Sequence, residues 1–427
     1  MNRHFFILTS YDSLYGYGNN RYGVLGWKEI GDNFVNDLLY ICDSRYVGQN
    51  KYIKNIKYIT MGDEHTIFLT NDRKLFGCGS GLYGRLIYGL QWCPTQKIAE
   101  DVQKVECGKE HTIIYTDDKK IYGFGMNKNG QLGTGDYNTG EEKKMCQIEG
   151  RKNVAIQKIR CGVNNTFILT KEGEIYVTGT NKFGCLGMGE KIKSICTFKL
   201  LMKNRDIKNI YFESSHCFIE IENSKGKQKI LCFGSNQYGQ LGMKENIDII
   251  FVPKLFNIRS EKIERIECGS TFTIFYTVNG KLYGCGTNHD GEIGLPTNIK
   301  NIHKPRRVLK DQGILSIKCG YNFTLIYKYD GSIILFANKT NPMRSKIFKK
   351  YQDYENITIL NKKFENLKIF CKGNKIQKIW NTDKHKYFEK YFKNCIFTFI
   401  CCLNRKFRQK KYLIPPRFIK YKIFNYL

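Results

Sequence analysis

Proline is scarce in this chain, with 7 residues among 427. Together with 41% hydrophobic and 14% aromatic residues, this scarcity excludes a proline-rich disordered chain. A chain of this length usually divides into two or three domains unless it folds as a repeat or barrel architecture. We therefore expect an ordered protein and look first for internal repeats.

Long hydrophobic runs are also missing. The apolar run at residues 5–8 is too short for the core of a signal peptide. The run at residues 395–403 is far shorter than the roughly 20 apolar residues that cross a membrane. We expect a protein that is soluble or at most peripheral to a membrane, and that works in the cytoplasm or the nucleus.

The cysteines lack the spacing of a metal site. Their number, 17, is odd, and the adjacent pair Cys401 and Cys402 is not followed by a second pair. Several recur singly at one position of the repeat described below: Cys107, Cys161, Cys268 and Cys319. We interpret them as small buried thiols of a reducing compartment and expect no metal and no cofactor.

Acidic residues are outnumbered throughout the chain. The 39 Asp and Glu residues face 69 Lys and Arg residues, which gives a formal net charge of +30. Such a balance favours an acidic partner, for example nucleic acid, an anionic membrane surface or an acidic protein face. General lysine richness of the composition explains the same balance, and both interpretations stay open.

The charge asymmetry is sharpest at the C-terminal end. Residues 390–427 contain ten basic residues and no Asp or Glu. The segment suits nuclear import or phosphate contacts, which we assign to a basic cluster: Arg405, Lys406, Arg408, Lys410 and Lys411. Binding to an anionic membrane, packing against the rest of the protein and a solvated tail remain as alternatives.

A glycine-rich element recurs along most of the chain. Its best copy runs Gly-Phe-Gly-Met-Asn-Lys-Asn-Gly-Gln-Leu-Gly over residues 123–133, and six copies can be recognised. The second glycines of the copies stand at positions 18, 79, 125, 179, 234 and 286, with spacings of 61, 46, 54, 55 and 52 residues. This period matches a propeller blade of four short strands.

A second element precedes each glycine motif. It reads Val-Glu-Cys-Gly-Lys-Glu-His-Thr over residues 105–112, and more degraded copies begin at Ile159, Ile210, Ile266 and Ile317. Its β-branched and aromatic residues suit half-buried strands. A last half-copy at residues 367–373 lacks the strand that residues 4–9 would supply. We predict an all-β, seven-bladed propeller over residues 1–375, closed by strands from both termini, and a basic, aromatic-rich extension over residues 376–427.

The glycines suggest a structural role. We expect them where strands crowd a central channel and where the turns after Asn127 and Asn236 need positive φ. A dinucleotide site is disfavoured because the copies lead into further loop, without the helix that would receive a phosphate.

The paired elements, best preserved from Cys107 to Gly133, resemble the repeat of the regulator of chromosome condensation family. The likeness spans roughly residues 4–375. The resemblance implies a propeller that serves as a nucleotide exchange factor for a small GTPase, as a ubiquitin-ligase subunit, as a photoreceptor or as an adaptor, and fold alone does not choose among these. The photoreceptor function is disfavoured because only Trp27, Trp92 and Trp380 are present.

The resemblance also implies that one face of the ring binds the partner. The matching positions surround the His of the second element: Glu64, His65, Glu110, His111, Asn164, Asn165, Ser215, His216 and Asn322. Only two sites keep the acid-His pair, which weakens the exchange interpretation. Because the histidines recur at one repeat position, we expect them to hydrogen-bond neighbouring blades and not to act in catalysis.

Three functions follow as hypotheses. The first is a monomeric, non-catalytic scaffold that binds a protein partner through its loops. The second is guanine-nucleotide exchange on a Ran-like small GTPase. The third is chromatin or nucleic-acid binding through the basic tail, which predicts an affinity that falls steeply with salt.

Overall fold

The structure of the protein is a computed structural model. The residues that the structure describes are 4–8, 13–26, 34–43, 55–86, 97–137, 146–147, 154–243, 247–258, 261–329, 333–337, 357–360 and 368–370. Every strand pairing in this part of the chain is antiparallel, and the strands form four-stranded sheets. No helix among these residues is long and apolar enough to span a membrane.

The strands follow one another as hairpins, so each sheet is filled in chain order. The first three blades contain β4 (Ile56–Met61), β5 (His65–Thr70), β6 (Leu75–Gly79) and β7 (Lys97–Ala99); β8 (Val102–Cys107), β9 (His111–Thr116), β10 (Ile121–Gly125) and β11 (Cys146–Gln147); and β12 (Ile156–Cys161), β13 (Asn165–Thr170), β14 (Glu174–Thr180) and β15 (Ser194–Lys203). Blades 4 to 6 contain β16 (Ile207–Phe212), β17 (His216–Glu222), β18 (Gln228–Ser235) and β19 (Ile249–Phe256); β20 (Ile263–Cys268), β21 (Phe272–Thr277), β22 (Lys281–Thr287) and β23 (Asn301–Lys310); and β24 (Ile314–Cys319), β25 (Thr324–Lys328), β26 (Ile333–Phe336) and β27 (Ile357–Leu360).

A further sheet combines the two ends of the described chain. It contains β1 (His4–Leu8), β2 (Ser13–Asn19), β3 (Phe34–Asp43) and β28 (Lys368–Phe370), in the order β28-β1-β2-β3. Strand β1 pairs antiparallel with β28, with Phe6 opposite Phe370. We call this the terminal sheet.

The blade count corrects the sequence-based prediction. Six blades are each built from one contiguous stretch, and their first strands β4, β8, β12, β16, β20 and β24 contact one another in series. The prediction of a seven-bladed propeller is therefore corrected to six repeat blades. The N-terminal stretch has no first strand of its own, so it forms the composite terminal sheet instead. The predicted basic extension, with Arg405, Lys406, Arg408, Lys410 and Lys411, lies outside the described residues.

Apolar side chains between the sheets form the core. The second strands are buried along their whole length in blades 1, 2, 3 and 5. Rings from successive blades meet directly, as where Phe218 of blade 4 packs edge-on against Phe275 of blade 5 at a centroid distance of 5.4 Å. A single blade has no second apolar face to bury against, so its stability depends on its neighbours.

The glycines act at a different place from the one expected. Gly123 and Gly125 lie on the third strand of blade 2, whereas the first strands line the centre. Gly125 has φ +103°, and a Cβ there would collide with the carbonyl oxygen of Glu110. The predicted positive φ in the turns is confirmed at Gly130 and Gly239. A side chain at Gly125 is therefore excluded by the loop between the first and second strands, and not by lack of space in the central channel.

Candidate functional site

The predicted partner-binding positions lie at one edge of the blades. The loop between the first and second strands and the loop after the third strand meet at this edge, because antiparallel strands alternate in direction. Backbone hydrogen bonds join the two loops: Met126 N–H donates to Glu110 O at 2.8 Å, and Ser235 N–H donates to Ser215 O at 2.9 Å. We call this edge the loop rim.

The three histidines lie below the surface of this rim. His65, His111 and His216 have no exposed surface. Hydrogen bonds join their Nε2 atoms to Thr112, Thr166 and Thr273 of the next blade, at 3.1, 3.0 and 2.9 Å. The expected contacts between neighbouring blades are therefore present.

The threonine hydroxyl determines the direction of the bond in blade 2. Thr166 donates its proton to Gln131 O at 2.7 Å, so it can only accept from His111. Blade 4 repeats the arrangement, because Thr273 donates to Gln240 O at 2.7 Å while it contacts His216. In both blades the histidine thus carries a proton on Nε2. One threonine hydroxyl joins the next blade to two parts of the preceding blade, the histidine ring and a backbone carbonyl.

The glycine of the Cys-Gly-x-x-His element makes room for the ring. A Cβ on Gly108 would overlap the imidazole of His111, and the Gly108 N–H donates to His111 O at 2.8 Å. A Cβ on Gly269 would likewise overlap the ring of Phe272 in blade 5. The three-residue spacing from the glycine to the histidine is therefore explained by the histidine ring, which folds back over the loop that joins the two residues.

The two acid-His sites are joined by an arginine that the sequence analysis did not identify. Arg85 of blade 1 donates to a carboxylate oxygen of Glu64 in its own blade and, at 2.8 Å, to Glu110 of blade 2. The arginine is 3% exposed, whereas both glutamates are half-buried. Arg85 occupies the repeat position that Gln131 and Gln240 hold in blades 2 and 4. This departure from the repeat is the sequence feature that could have identified the arginine.

Family models match this repeat along the chain. Models of the Regulator of chromosome condensation (RCC1) repeat match residues 118–169, 228–276 and 279–327. A second model with the same description matches residues 56–85, 102–131, 156–185 and 263–292. The chain belongs to the RCC1 repeat family. The predicted resemblance is therefore confirmed.

Known proteins with RCC1 repeats are named after different activities. The chain is 26% identical over 216 residues to the ultraviolet-B receptor UVR8 of Arabidopsis thaliana, which covers 50% of this chain and 48% of that protein. It is 31% identical over 279 residues to the probable E3 ubiquitin-protein ligase HERC4 of Homo sapiens, which covers 64% of this chain and 26% of that protein. The chain thus spans about half of the first relative and about a quarter of the second.

Among solved structures, the chain is similar to Prp20p of Saccharomyces cerevisiae. The TM-score is 0.64 at 16% identity, over 90% of this chain and 87% of that one. At this identity the likeness shows the RCC1 fold alone.

The remaining predicted positions of the RCC1 repeats divide by exposure. Asn165 is buried and donates to Cys185 Sγ at 2.9 Å. Asn164, Ser215 and Asn322 are half-exposed on the loop rim, and Asn322 donates to Asp290 of the preceding blade. The structure therefore brings Glu64 and Glu110 together through Arg85 and distributes the others around the rim.

Exposed aromatic rings on the rim were missed by the sequence analysis. Phe183 of blade 3 is 42% exposed and Tyr238 of blade 4 is 36% exposed. Both precede the third glycine of the repeat motif, where Tyr22 and Tyr83 stand in other copies. Phe183 also has φ +64°, an outlier for a bulky residue. The recurrence of aromatic residues before this glycine was the available signal.

Burial limits the reactivity of the cysteine next to the repeat turn of blade 3. Burial raises the pKa of the Cys185 thiol to about 12, so it stays protonated and is a poor nucleophile. In the part of the chain that the structure describes, no three His, Cys, Asp or Glu side chains come together as a metal site.

The buried histidine of blade 4 predicts a stability that depends on pH. Burial lowers the pKa of His216 to about 3, below its ordinary value. Between that value and about 6.5 only the unfolded chain binds the proton, so stability falls with decreasing pH by about 1.4 kcal/mol per unit. We expect His216→Phe, the residue type that blades 5 and 6 carry at this position, to remove that contribution. Equal slopes of unfolding free energy against pH for both proteins would contradict it.

Proposed function

We propose that the protein is a non-catalytic scaffold that binds a protein partner through the loop rim, in the cytoplasm or nucleus. The observation that carries the proposal is the exposed ring of Phe183, held on a turn whose backbone is in the left-handed region. Such a conformation costs roughly 1–3 kcal/mol and is often retained for function. Core packing of the ring does not explain why the strained backbone conformation is present, because the ring is exposed.

The chemistry of the rim suits protein recognition. Aromatic side chains contribute large contact areas and are enriched among the residues that dominate binding energy. Tyr238 adds a second ring on the adjacent blade, and Lys182 lies over the Phe183 ring at 5.0 Å. The half-exposed Asn164, Ser215 and Asn322 are proposed to surround these anchors as polar contacts, while Arg85 engages Glu64 and Glu110.

The two blades supply their own control surface. Leu200 on β15 and Leu255 on β19 are 46% and 53% exposed on the outer strands of the same blades. We expect Phe183→Ser with Tyr238→Ser to lose the partner, because truncated anchors cost about 2 kcal/mol or more each. Leu200→Ser with Leu255→Ser should keep it.

The experiment is quantitative affinity capture with the full chain and both double variants. Proteins recovered by the wild type and by the outer-strand variant, but at least tenfold reduced with the rim variant, support the proposal. Recovery that is unchanged in the rim variant, or reduced equally in both variants, contradicts it.

Guanine-nucleotide exchange is the second candidate. The likeness to Prp20p, a protein described as binding Gsp1p and histones, supports it. The salt bridges of Arg85 argue against it, because they already engage both acid-His glutamates. Release of fluorescent nucleotide from a panel of small GTPases, compared with Glu110→Ala, tests this function, and no acceleration by the wild type would reject it. Chromatin or nucleic-acid binding through residues 390–427 remains a separate proposal.

A further inference from the structure

The centre of the blades contains a cavity of about 510 Å³. All six first strands contribute to its walls. The volume falls within the range of roughly 300–1,000 Å³ that is usual for small-molecule sites. The cavity can therefore admit a small molecule but not a folded partner.

A shared irregularity determines which side chains face the cavity. The pairing of first and second strands shifts register after the opening residue in every blade, as between Ile156 and Lys158. Such a bulge breaks the alternation of the strand. Ile156 and Ile159 are consequently both buried, and Ile159 borders the cavity together with Lys158 and Arg160.

The cavity walls are strongly cationic. Among the residues that the structure describes, seven basic ones line them: Lys57, Lys104, Lys158, Arg160, Lys208, Arg265 and Lys318. Three carboxylates of the same described set accompany them: Glu106, Glu264 and Glu267. Within this part of the lining, basic side chains outnumber carboxylates by four.

The carboxylates are already paired with other lining residues. Glu106 accepts from Arg160 at 3.1 Å, Glu267 accepts from Lys318 at 3.0 Å, and Glu264 accepts from Arg265 at 3.0 Å. Tyr58 also donates its hydroxyl proton to Glu106, at 2.9 Å. The excess positive charge is therefore not neutralised by these three acids.

Lys158 carries this imbalance most clearly. Its ammonium donates to the neutral amide oxygen of Asn209 and lies 5.7 Å from the centre of the Tyr211 ring. Burial, followed by repulsion from Arg160, lowers the pKa of Lys158 well below its ordinary value. A desolvated ammonium beside a second cation is unfavourable, and an anion in the cavity would relieve it.

We propose that the central cavity binds a small polyphosphorylated molecule, with Lys104, Lys158 and Arg160 as its principal contacts. Several phosphates on one small frame match cations that project from adjacent strands. The side chains are positioned by the bulged strands before the ligand enters, which limits the entropy lost on binding.

The test uses the full chain, with inositol hexakisphosphate as the probe. Calorimetry and thermal unfolding at physiological salt should show one site per chain and a raised melting temperature. Lys158→Met should raise the melting temperature without ligand, because it removes a desolvated amine beside Arg160, and weaken binding at least tenfold. Arg306→Met, on the exposed outer strand β23, is the matched control and should bind like the wild type.

Other outcomes would overturn the proposal. Binding weakened equally by Arg306→Met, or many weak sites per chain, would show adhesion to a basic surface. No binding to the wild type, or an equal shift with inorganic phosphate at the same concentration, would exclude a site for several phosphates. Lys104→Met supplies a second variant if Lys158→Met does not fold.

Discussion

Gly179→Ala is expected to destabilise the protein by about 4 kcal/mol, whereas Gly189→Ala in the same blade should cost about 1 kcal/mol. Both glycines have positive φ, +106° and +90°. A Cβ on Gly179 would also collide with the backbone oxygen of Asn164, while a Cβ on Gly189 would meet no atom within 4 Å. The difference in unfolding free energy between the two variants thus measures the effect of the close contact between the third strand and the loop that joins the first and second strands.

Chemical denaturation of the two variants, followed by circular dichroism, measures this difference. Similar losses of stability would mean that only the backbone conformation matters. The close approach of the loop would then not be the reason for the second glycine of each repeat.

Arg85→Gln is expected to cost about 2–3 kcal/mol of stability, because it leaves two glutamates near each other without their cation. The change restores the residue type that blades 2 and 4 carry at this position, as Gln131 and Gln240. Loss of side-chain volume is therefore an insufficient explanation for any destabilisation. Replacing Glu64 and Glu110 with glutamine in the same chain should recover most of the loss.

The triple variant is the decisive comparison for this cluster. Unfolding free energies of the wild type, Arg85→Gln and the triple variant would be measured at neutral pH. If the triple variant is no more stable than the single one, charge pairing is not what Arg85 contributes.

Much of the fold could be predicted because glycine positions reflect local geometry. A residue with positive φ, such as Gly130, or one beneath a folded-back ring, such as Gly108, is constrained by its immediate surroundings. The repeat family and the strands followed from these constraints. The half-copy at residues 367–373 also indicated the pairing of β1 with β28 that the structure contains. The number of repeat blades did not follow, because the sheet shared by the two ends carries the same glycine motif, on β2, as a blade built from one contiguous stretch.

The site was less predictable than the fold. The sequence marks His111 and Glu110 as repeat positions, but their partners Thr166 and Arg85 lie in neighbouring blades or loops. The cationic cavity arises only when variable positions of six first strands converge, as Lys104 and Lys158 do. Such convergence cannot be read from any one copy of the repeat.

We propose that the loop rim binds the partner, while the recurring geometry of the repeat holds the blades together. Amide hydrogen exchange of the full chain, alone and with the captured partner, measures where the partner binds. We expect added protection at the turns 181–184 and 236–239, which carry Phe183 and Tyr238. Protection confined to the outer strands β15 and β19 would contradict it.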